Sequence, residues 1–276
     1  MEHILIGVLA LPLLWPRLKE LKNLAWREWS SVIFIALGGS ALATIFFTQS
    51  FHYVNPTVSI LLQKLQPFIA IGLATFVLKE NLSKRFWLWA VLAMFGAFLV
   101  TFPDLKVAGF TLAGGTLGTV FALLAAFFWG GSTVFGRLVL RKVSFQMMTA
   151  LRFLGALFFL FLIQAWYGRL GEVATASGKD WLFVFIIAIL AGFVSLFIYY
   201  KGLQNTKASI ATLGELVFVP SAVIVNWIFL DATLALGQIL GGLILLFAIL
   251  QLSKVNDESP QSQLNDSRES FSGERV

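Results

Sequence analysis

Long apolar runs separated by short polar segments make up most of the chain. A helix that crosses a membrane needs about 20 mostly apolar residues. The first apolar run of the chain, 4–15, is too short to cross a membrane comfortably. It also lacks the basic start and the small-residue cleavage site of a signal peptide. We interpret it as one more membrane helix, with a clipped or tilted start. The full spans that the pattern predicts are 31–51, 56–78, 86–102, 116–136, 146–167, 181–200, 208–230 and 234–252.

Composition supports a lipid environment for these helices. Of the 276 residues, 58% are hydrophobic and 12% are charged. A soluble domain is typically about half apolar and about a quarter charged. One globular core cannot hide this many apolar side chains, so lipid must cover the rest. The predicted fold class is therefore all-α, a polytopic transmembrane helical bundle.

Basic residues occur mainly in alternate connecting segments. This rhythm is the positive-inside signature, in which cytoplasmic loops carry the excess of Lys and Arg. It predicts a multi-pass protein of the cell membrane with a cytoplasmic C-terminus. Residues 255–276 are polar and are expected to form a disordered cytoplasmic tail. The basic groups that follow the first, third, fifth and seventh runs are Arg17, Lys19, Lys22, Arg27, Lys79, Lys84, Arg85, Arg137, Arg141, Lys142, Lys201 and Lys207.

The two halves of the chain resemble each other at an offset of about 152 residues. Segment 49–59 matches segment 201–211, and each is followed by an apolar helix that contains a proline, Pro67 or Pro220. Transporters are often built from two such halves, with the substrate site at their interface. The pattern predicts a first repeat at 1–105, with four or five helices, and a second repeat with five at 114–254. Odd numbers of helices would make the repeats inverted.

These features together are similar to the EamA-type branch of the drug/metabolite transporter superfamily. The residues that carry the resemblance are 200–209, Pro67 followed by Lys79 and Glu80, Pro220 followed by Asp231, and Trp129 with Gly130. The resemblance implies ten helices in two inverted repeats, of which this chain lacks the first. It also implies a cavity that opens alternately to each side. The implied function is transport of small metabolites, amino-acid-like or drug-like, often coupled to protons.

Two charged residues lie deep in predicted spans at nearly equivalent repeat positions, Lys64 and Glu215. A charge inside a span costs roughly 2.5–3.5 kcal/mol on insertion scales, so such residues are candidates for function. Glu215 could bind and release protons, and Lys64 could pair with it or with an anionic substrate group. The alternative is a static ion pair that locks two helices together.

Polar, aromatic and proline residues near these charges extend the candidate site. Polar stripes in membrane helices face a cavity or another helix, so interhelical hydrogen bonding is the alternative. Trp129 is a candidate substrate platform, although packing is its more usual role. Arg152 is expected to reach back to the cytoplasmic interface rather than to contact substrate. The remaining candidates are Gln63, Gln66, Thr212 and Asn226 for the pathway, and Pro67 and Pro220 for helix kinks.

Several classes of function are excluded or disfavoured. With no Cys and two His residues, we expect no metal site, no cofactor and no catalytic centre, so the chain is not predicted to be an enzyme. No phosphate loop for ATP is present. The net charge of +6 reflects loop placement and not nucleic-acid binding. A nucleotide-sugar-type carrier, a scaffold and a channel stay as alternatives. Gly237 and Gly241 predict close helix packing, within the chain or in a homodimer.

Overall fold

The computed structural model describes residues 2–105, 116–168, 171, 177–229 and 233–257. Asp231 and residues 258–276, which include most of the predicted tail, lie outside these ranges. Within them the chain forms nine helices and no strands. The helices are α1 Glu2–Leu14, α2 Trp26–Ser50, α3 with the two segments Pro56–Gln63 and Gln66–Val77, α4 Lys84–Thr101, α5 Thr116–Val139, α6 Phe145–Trp166, α7 Gly178–Leu203, α8 Ala208–Phe229 and α9 Leu236–Asp257.

The eight predicted spans are confirmed as α2 to α9. In the described residues, eight helices are long and apolar enough to cross a membrane. Helix α2 begins five residues earlier than predicted, at Trp26, because Glu28 caps its first turn. The Glu28 carboxylate accepts a hydrogen bond from the backbone N–H of Ala25 at 2.9 Å. Hydropathy alone ignores this polar first turn.

Helix α1 is a 13-residue helix that continues into a 3₁₀ helix at Trp15–Asn23. It packs against α6, where Gly7 leaves no space for a side chain. A Cβ atom at Gly7 would lie 2.6 Å from a methyl carbon of Leu157. Ile6 and Ala10 are buried in the same interface. The short run at 4–15 is thus a packed helix of the bundle.

The described helices form two compact units. The first comprises Met1–Leu73 and Thr111–Gln204, so it holds α1, α2, most of α3, α5, α6 and α7. The second comprises Ala74–Phe110 and Asn205–Val276, so it holds α4, α8, α9 and the end of α3. Each unit draws helices from both predicted repeats, and the division into repeats stays a prediction.

Glycines let α4 and α9 approach closely in the second unit. A Cβ atom at Gly96 would lie 2.7 Å from both the carbonyl oxygen of Gly241 and the backbone nitrogen of Leu245. Gly237 likewise packs against the backbone of Pro103. The two glycines of the GxxxG pattern therefore serve packing inside the chain, which is the first of the two roles that the sequence left open.

Two acidic side chains hold the first turns of distant helices. The Glu20 carboxylate accepts hydrogen bonds from the backbone N–H of Ser144 at 2.6 Å and from its hydroxyl at 3.0 Å, at the start of α6. In the second unit, Glu80 binds the start of α8. Its carboxylate accepts from the backbone N–H groups of Ala208 at 2.8 Å and Ser209 at 3.2 Å, and from the Ser209 hydroxyl at 2.6 Å. Both acids satisfy N–H groups that a helix start leaves without intrahelical partners.

A left-handed residue directs Glu80 toward α8. Lys79 has a φ angle of 56°, a conformation that is uncommon for a residue other than glycine. The backbone N–H of Glu80 donates to the carbonyl of Ala74 at 3.3 Å, which closes the end of α3. This is the usual geometry in which a helix ends and the chain reverses. The reversal points the Glu80 side chain back into the protein, where it is 5% exposed.

Candidate functional site

Helix α3 is interrupted in the middle of its span. Regular helix stops at Gln63 and resumes at Gln66, so Lys64 lies in the break. The backbone N–H of Lys64 bonds to the carbonyls of Ile60 at 3.3 Å and Leu61 at 3.1 Å. Pro67 explains the position, because it has no N–H and its ring excludes the carbonyl four residues earlier, that of Gln63. The break thus places a charged side chain on irregular backbone inside an apolar span.

Helix α8 has a corresponding irregularity. A 3₁₀ segment, Glu215–Val217, separates Ala208–Gly214 from Phe218–Phe229. Pro220 follows three residues later and cannot bond to the carbonyl of Leu216, which lies inside that segment. Glu215 is therefore the first residue of the irregular backbone, as Lys64 is in α3. The two charges occupy matching breaks, one in each compact unit.

The structure groups some of the candidate polar residues and separates others. The Gln63 amide donates to the Gln66 carbonyl oxygen at 3.1 Å, so both side chains belong to the α3 break. Thr212 lies one turn before Glu215 and is fully buried. Its hydroxyl has no hydrogen-bond partner among the described residues. Asn226 lies eleven residues after Glu215 on an exposed face of α8, away from the break.

Helix α5 packs directly against the α3 break. A Cβ atom at Gly130 would lie 3.0 Å from the carbonyl oxygen of Gln66 and 3.3 Å from the backbone nitrogen of Ala70. The neighbouring Trp129 packs edge-on against Phe47 of α2, with 5.2 Å between ring centroids. Gly130 thus brings α5 onto the irregular backbone, and Trp129 lies next to this contact with its ring in an aromatic cluster.

Aromatic rings line the faces of α2 and α5 in the first unit. Phe46 stacks on Phe121, with centroids 5.5 Å apart and ring planes 14° from parallel. Phe46 also stacks on Phe128 at 6.1 Å and 23°. Tyr53 meets Phe121 edge-on at 5.8 Å and is about half exposed. These rings pack on one another and join α2 to α5.

Sequence reasoning missed a polar cluster around Arg152. Its Nε–H donates to the Ser40 hydroxyl at 3.0 Å, and an Nη1–H donates to the Tyr200 hydroxyl at 3.1 Å. Next to it, the hydroxyls of Thr133 and Tyr199 are 2.9 Å apart. These partners hold Arg152 in the first unit, and its reach toward the cytoplasmic interface stays a prediction. The available signal was two adjacent tyrosines one turn from the end of an apolar span.

No group of three or more His, Cys, Asp or Glu residues in the described part of the chain is placed to hold a metal ion.

Comparison with known proteins agrees with this architecture. The EamA-like transporter family matches residues 2–102 and 116–254, so the chain belongs to that family. It is a multi-pass membrane protein that transports small molecules. A curated relative, the riboflavin transporter ImpX of Fusobacterium nucleatum subsp. nucleatum, is 32% identical over 245 residues, which cover 86% of this chain and 82% of the relative.

Two further comparisons extend the family and the fold. An uncharacterized transporter encoded in the sor 3′ region of Acidianus ambivalens is 29% identical over 183 residues, covering 65% of this chain and 67% of that protein. A solved crystal structure superposes with a TM-score of 0.67 and 16% identity, covering 92% of this chain and 84% of the other. At that identity the likeness concerns the fold alone.

Proposed function

We propose that the chain is a secondary carrier that works by alternating access, with α3 and α8 as its moving helices. In this proposal Lys64 binds an anionic group of the substrate, and Glu215 binds and releases protons. The observation that carries the proposal is that each deep charge lies on a break in its helix. Breaks of this kind supply ion and substrate sites in secondary transporters.

Physical cost supports a functional role for the breaks. A charge inside a span costs roughly 2.5–3.5 kcal/mol on insertion scales. Irregular backbone at membrane depth is tolerated where it is buried in protein or lines a water-filled cavity. The cost of a buried charge and the cost of irregular backbone both arise in the same short segments of α3 and α8. The fully buried Thr212 hydroxyl beside Glu215 adds a polar group that a water molecule or a substrate could satisfy.

Riboflavin is the first substrate to test. The relative named as a riboflavin transporter is 32% identical to this chain. We further propose that transport is coupled to protons through Glu215, and that the protein works in the plasma membrane with its C-terminus in the cytoplasm.

The test is riboflavin uptake into riboflavin-auxotrophic bacteria that lack their own carrier and express the chain. Flavin fluorescence of washed cells reports accumulation. We expect uptake by the wild type, loss of uptake in Glu215→Gln at equal expression, and collapse of uptake by a protonophore. Lys64→Met is expected to impair uptake, whereas Lys254→Met, an exposed lysine at the end of α9, is the matched control.

The outcomes separate the parts of the proposal. Wild-type uptake of an unrelated metabolite, found by untargeted profiling of medium and cells, would reject riboflavin and keep the carrier. Uptake by Glu215→Gln equal to that of the wild type would show that the carboxylate is structural. Insensitivity to the protonophore would reject proton coupling and leave the alternating-access carrier in place.

A further inference from the structure

Arg152 lies inside its helix and is bonded to side chains of two other helices. It is the eighth residue of α6, about 10 Å from the helix start at 1.5 Å per residue. Its partner Ser40 is the fifteenth residue of α2, about 21 Å from the start of that helix. Both helices begin next to basic connecting segments, so both starts are predicted to lie on one side of the membrane. Its other partner, Tyr200, lies three residues before the end of α7. The guanidinium group is therefore held between Ser40, in the middle of α2, and the last turn of α7.

Hydroxyl groups orient the guanidinium without neutralising it. The Ser40 hydroxyl donates a hydrogen bond to the carbonyl of Ile35 at 3.4 Å and accepts one from Arg152. Tyr200 is fully buried, and its ring lies 5.9 Å from the guanidinium carbon. Among the described residues, Arg152 forms no ion pair within 4 Å.

The orientation of Arg152 leaves part of the guanidinium available. A guanidinium carries five N–H donors. One on Nε and one on Nη1 are used, so three remain, including both on Nη2. The side chain is partly exposed, so a ligand can reach it. Gly136 helps to fix the arrangement, because a Cβ atom there would lie 3.2 Å from the Tyr200 ring.

We propose that Arg152 is an anion-recognition residue of the transport site and binds an oxyanion, carboxylate or phosphate, on the transported molecule. A planar fork of N–H donors matches these groups in a two-point hydrogen bond. A cation inside a membrane span without a counter-charge is costly, and an oxyanion would supply that charge. The inference rests on the proposed carrier function and narrows its substrate class to anionic metabolites. Riboflavin itself is neutral and would bind without this contact, so we expect an anionic flavin to bind more tightly than riboflavin does.

The test measures binding to the purified full-length chain in nanodiscs, by flavin fluorescence anisotropy, and so does not depend on transport. Two matched pairs of probes differ in their anion: flavin mononucleotide against riboflavin, and carboxymethylflavin against lumiflavin. We expect the wild type to bind one anionic member roughly 10- to 100-fold more tightly than its neutral partner. The pair that shows the preference identifies phosphate or carboxylate as the group bound.

Variants connect the preference to Arg152. Arg152→Gln is expected to abolish the preference while the neutral probe still binds, and Arg152→Lys, which keeps the charge but loses the fork, to retain part of it. Tyr200→Phe removes one orienting hydroxyl and is expected to weaken the preference by less than Arg152→Gln. Lys254→Gln removes an exposed charge and is expected to leave the preference unchanged. A purely structural arginine would alter stability and leave the ratio of the two affinities as in the wild type.

A second measurement decides the case in which no flavin binds. That result would reject a flavin substrate, and thermal unfolding in the presence of inorganic phosphate or acetate would then test the anion site. We expect either anion to raise the unfolding temperature of the wild type and not that of Arg152→Gln. The proposal is overturned if the wild type shows no anion preference in either measurement, or if Arg152→Gln retains it.

Discussion

The contact of Glu80 with the start of α8 predicts a local loss of stability on substitution. Glu80→Ala removes the acceptor for two backbone N–H groups, those of Ala208 and Ser209, and for the Ser209 hydroxyl. Hydrogen bonds to a charged group contribute about 1.5–3 kcal/mol each. Ala208 and Ser209 are both fully buried, so water cannot easily replace the carboxylate. Counting only the two backbone bonds at the lower value, the first turn of α8 loses about 3 kcal/mol.

Hydrogen–deuterium exchange measures this loss directly. A change of 1.4 kcal/mol is a factor of ten in an opening equilibrium, so amides in the first turn of α8 should exchange roughly 100-fold faster in Glu80→Ala. Glu80→Gln keeps one acceptor oxygen, so its exchange rate in the first turn of α8 should fall between those of the wild type and Glu80→Ala. The matched control is Glu20→Ala, which should accelerate exchange at Ser144 and the start of α6 but not in α8. Unchanged protection of α8 in a folded Glu80→Ala protein would refute the reasoning.

Two further predictions concern packing and the helix breaks. Gly96→Val should lower the unfolding temperature and the folded yield, because its Cβ would lie 2.7 Å from backbone atoms of α9, and overpacking costs about 1–3 kcal/mol. Gly214→Ala, where no atom lies within 4 Å, is its control; equal losses in both would contradict the packing argument. Pro67→Ala restores a donor for the carbonyl of Gln63 and should slow transport several-fold at unchanged or higher thermal stability. A rate equal to that of the wild type would show that the α3 break does not serve transport.

The spans were predictable because they depend on local composition. A run of about 20 apolar residues is read from neighbouring positions, and the eight spans follow from it. The start of α2 was placed too late because hydropathy counts Glu28 as a polar interruption, whereas the helix uses that side chain as a cap. Such a cap lies within three residues of its partner, so a capping rule would have found it.

The partners of isolated charges were not predictable for the opposite reason. Arg152 and Ser40 are 112 positions apart, and Glu80 and Ala208 are 128 apart. No periodicity or spacing in one sequence links positions at that distance. An interface role for Arg152 followed from a general tendency of long basic side chains. Its actual environment depends on which helices pack against α6, and packing is decided by the whole fold.

The acidic caps also impose an order on synthesis. In both contacts the carboxylate comes before the helix that it caps, by 124 residues for Glu20 and Ser144 and by 128 for Glu80 and Ala208. At about 5–20 residues per second, each acid leaves the ribosome roughly 6–25 s before its helix begins. When the first turn of α6 or α8 is synthesised, the carboxylate that caps it is therefore already part of the synthesised chain. Each of these helices can bind to a previously synthesised segment as it is inserted.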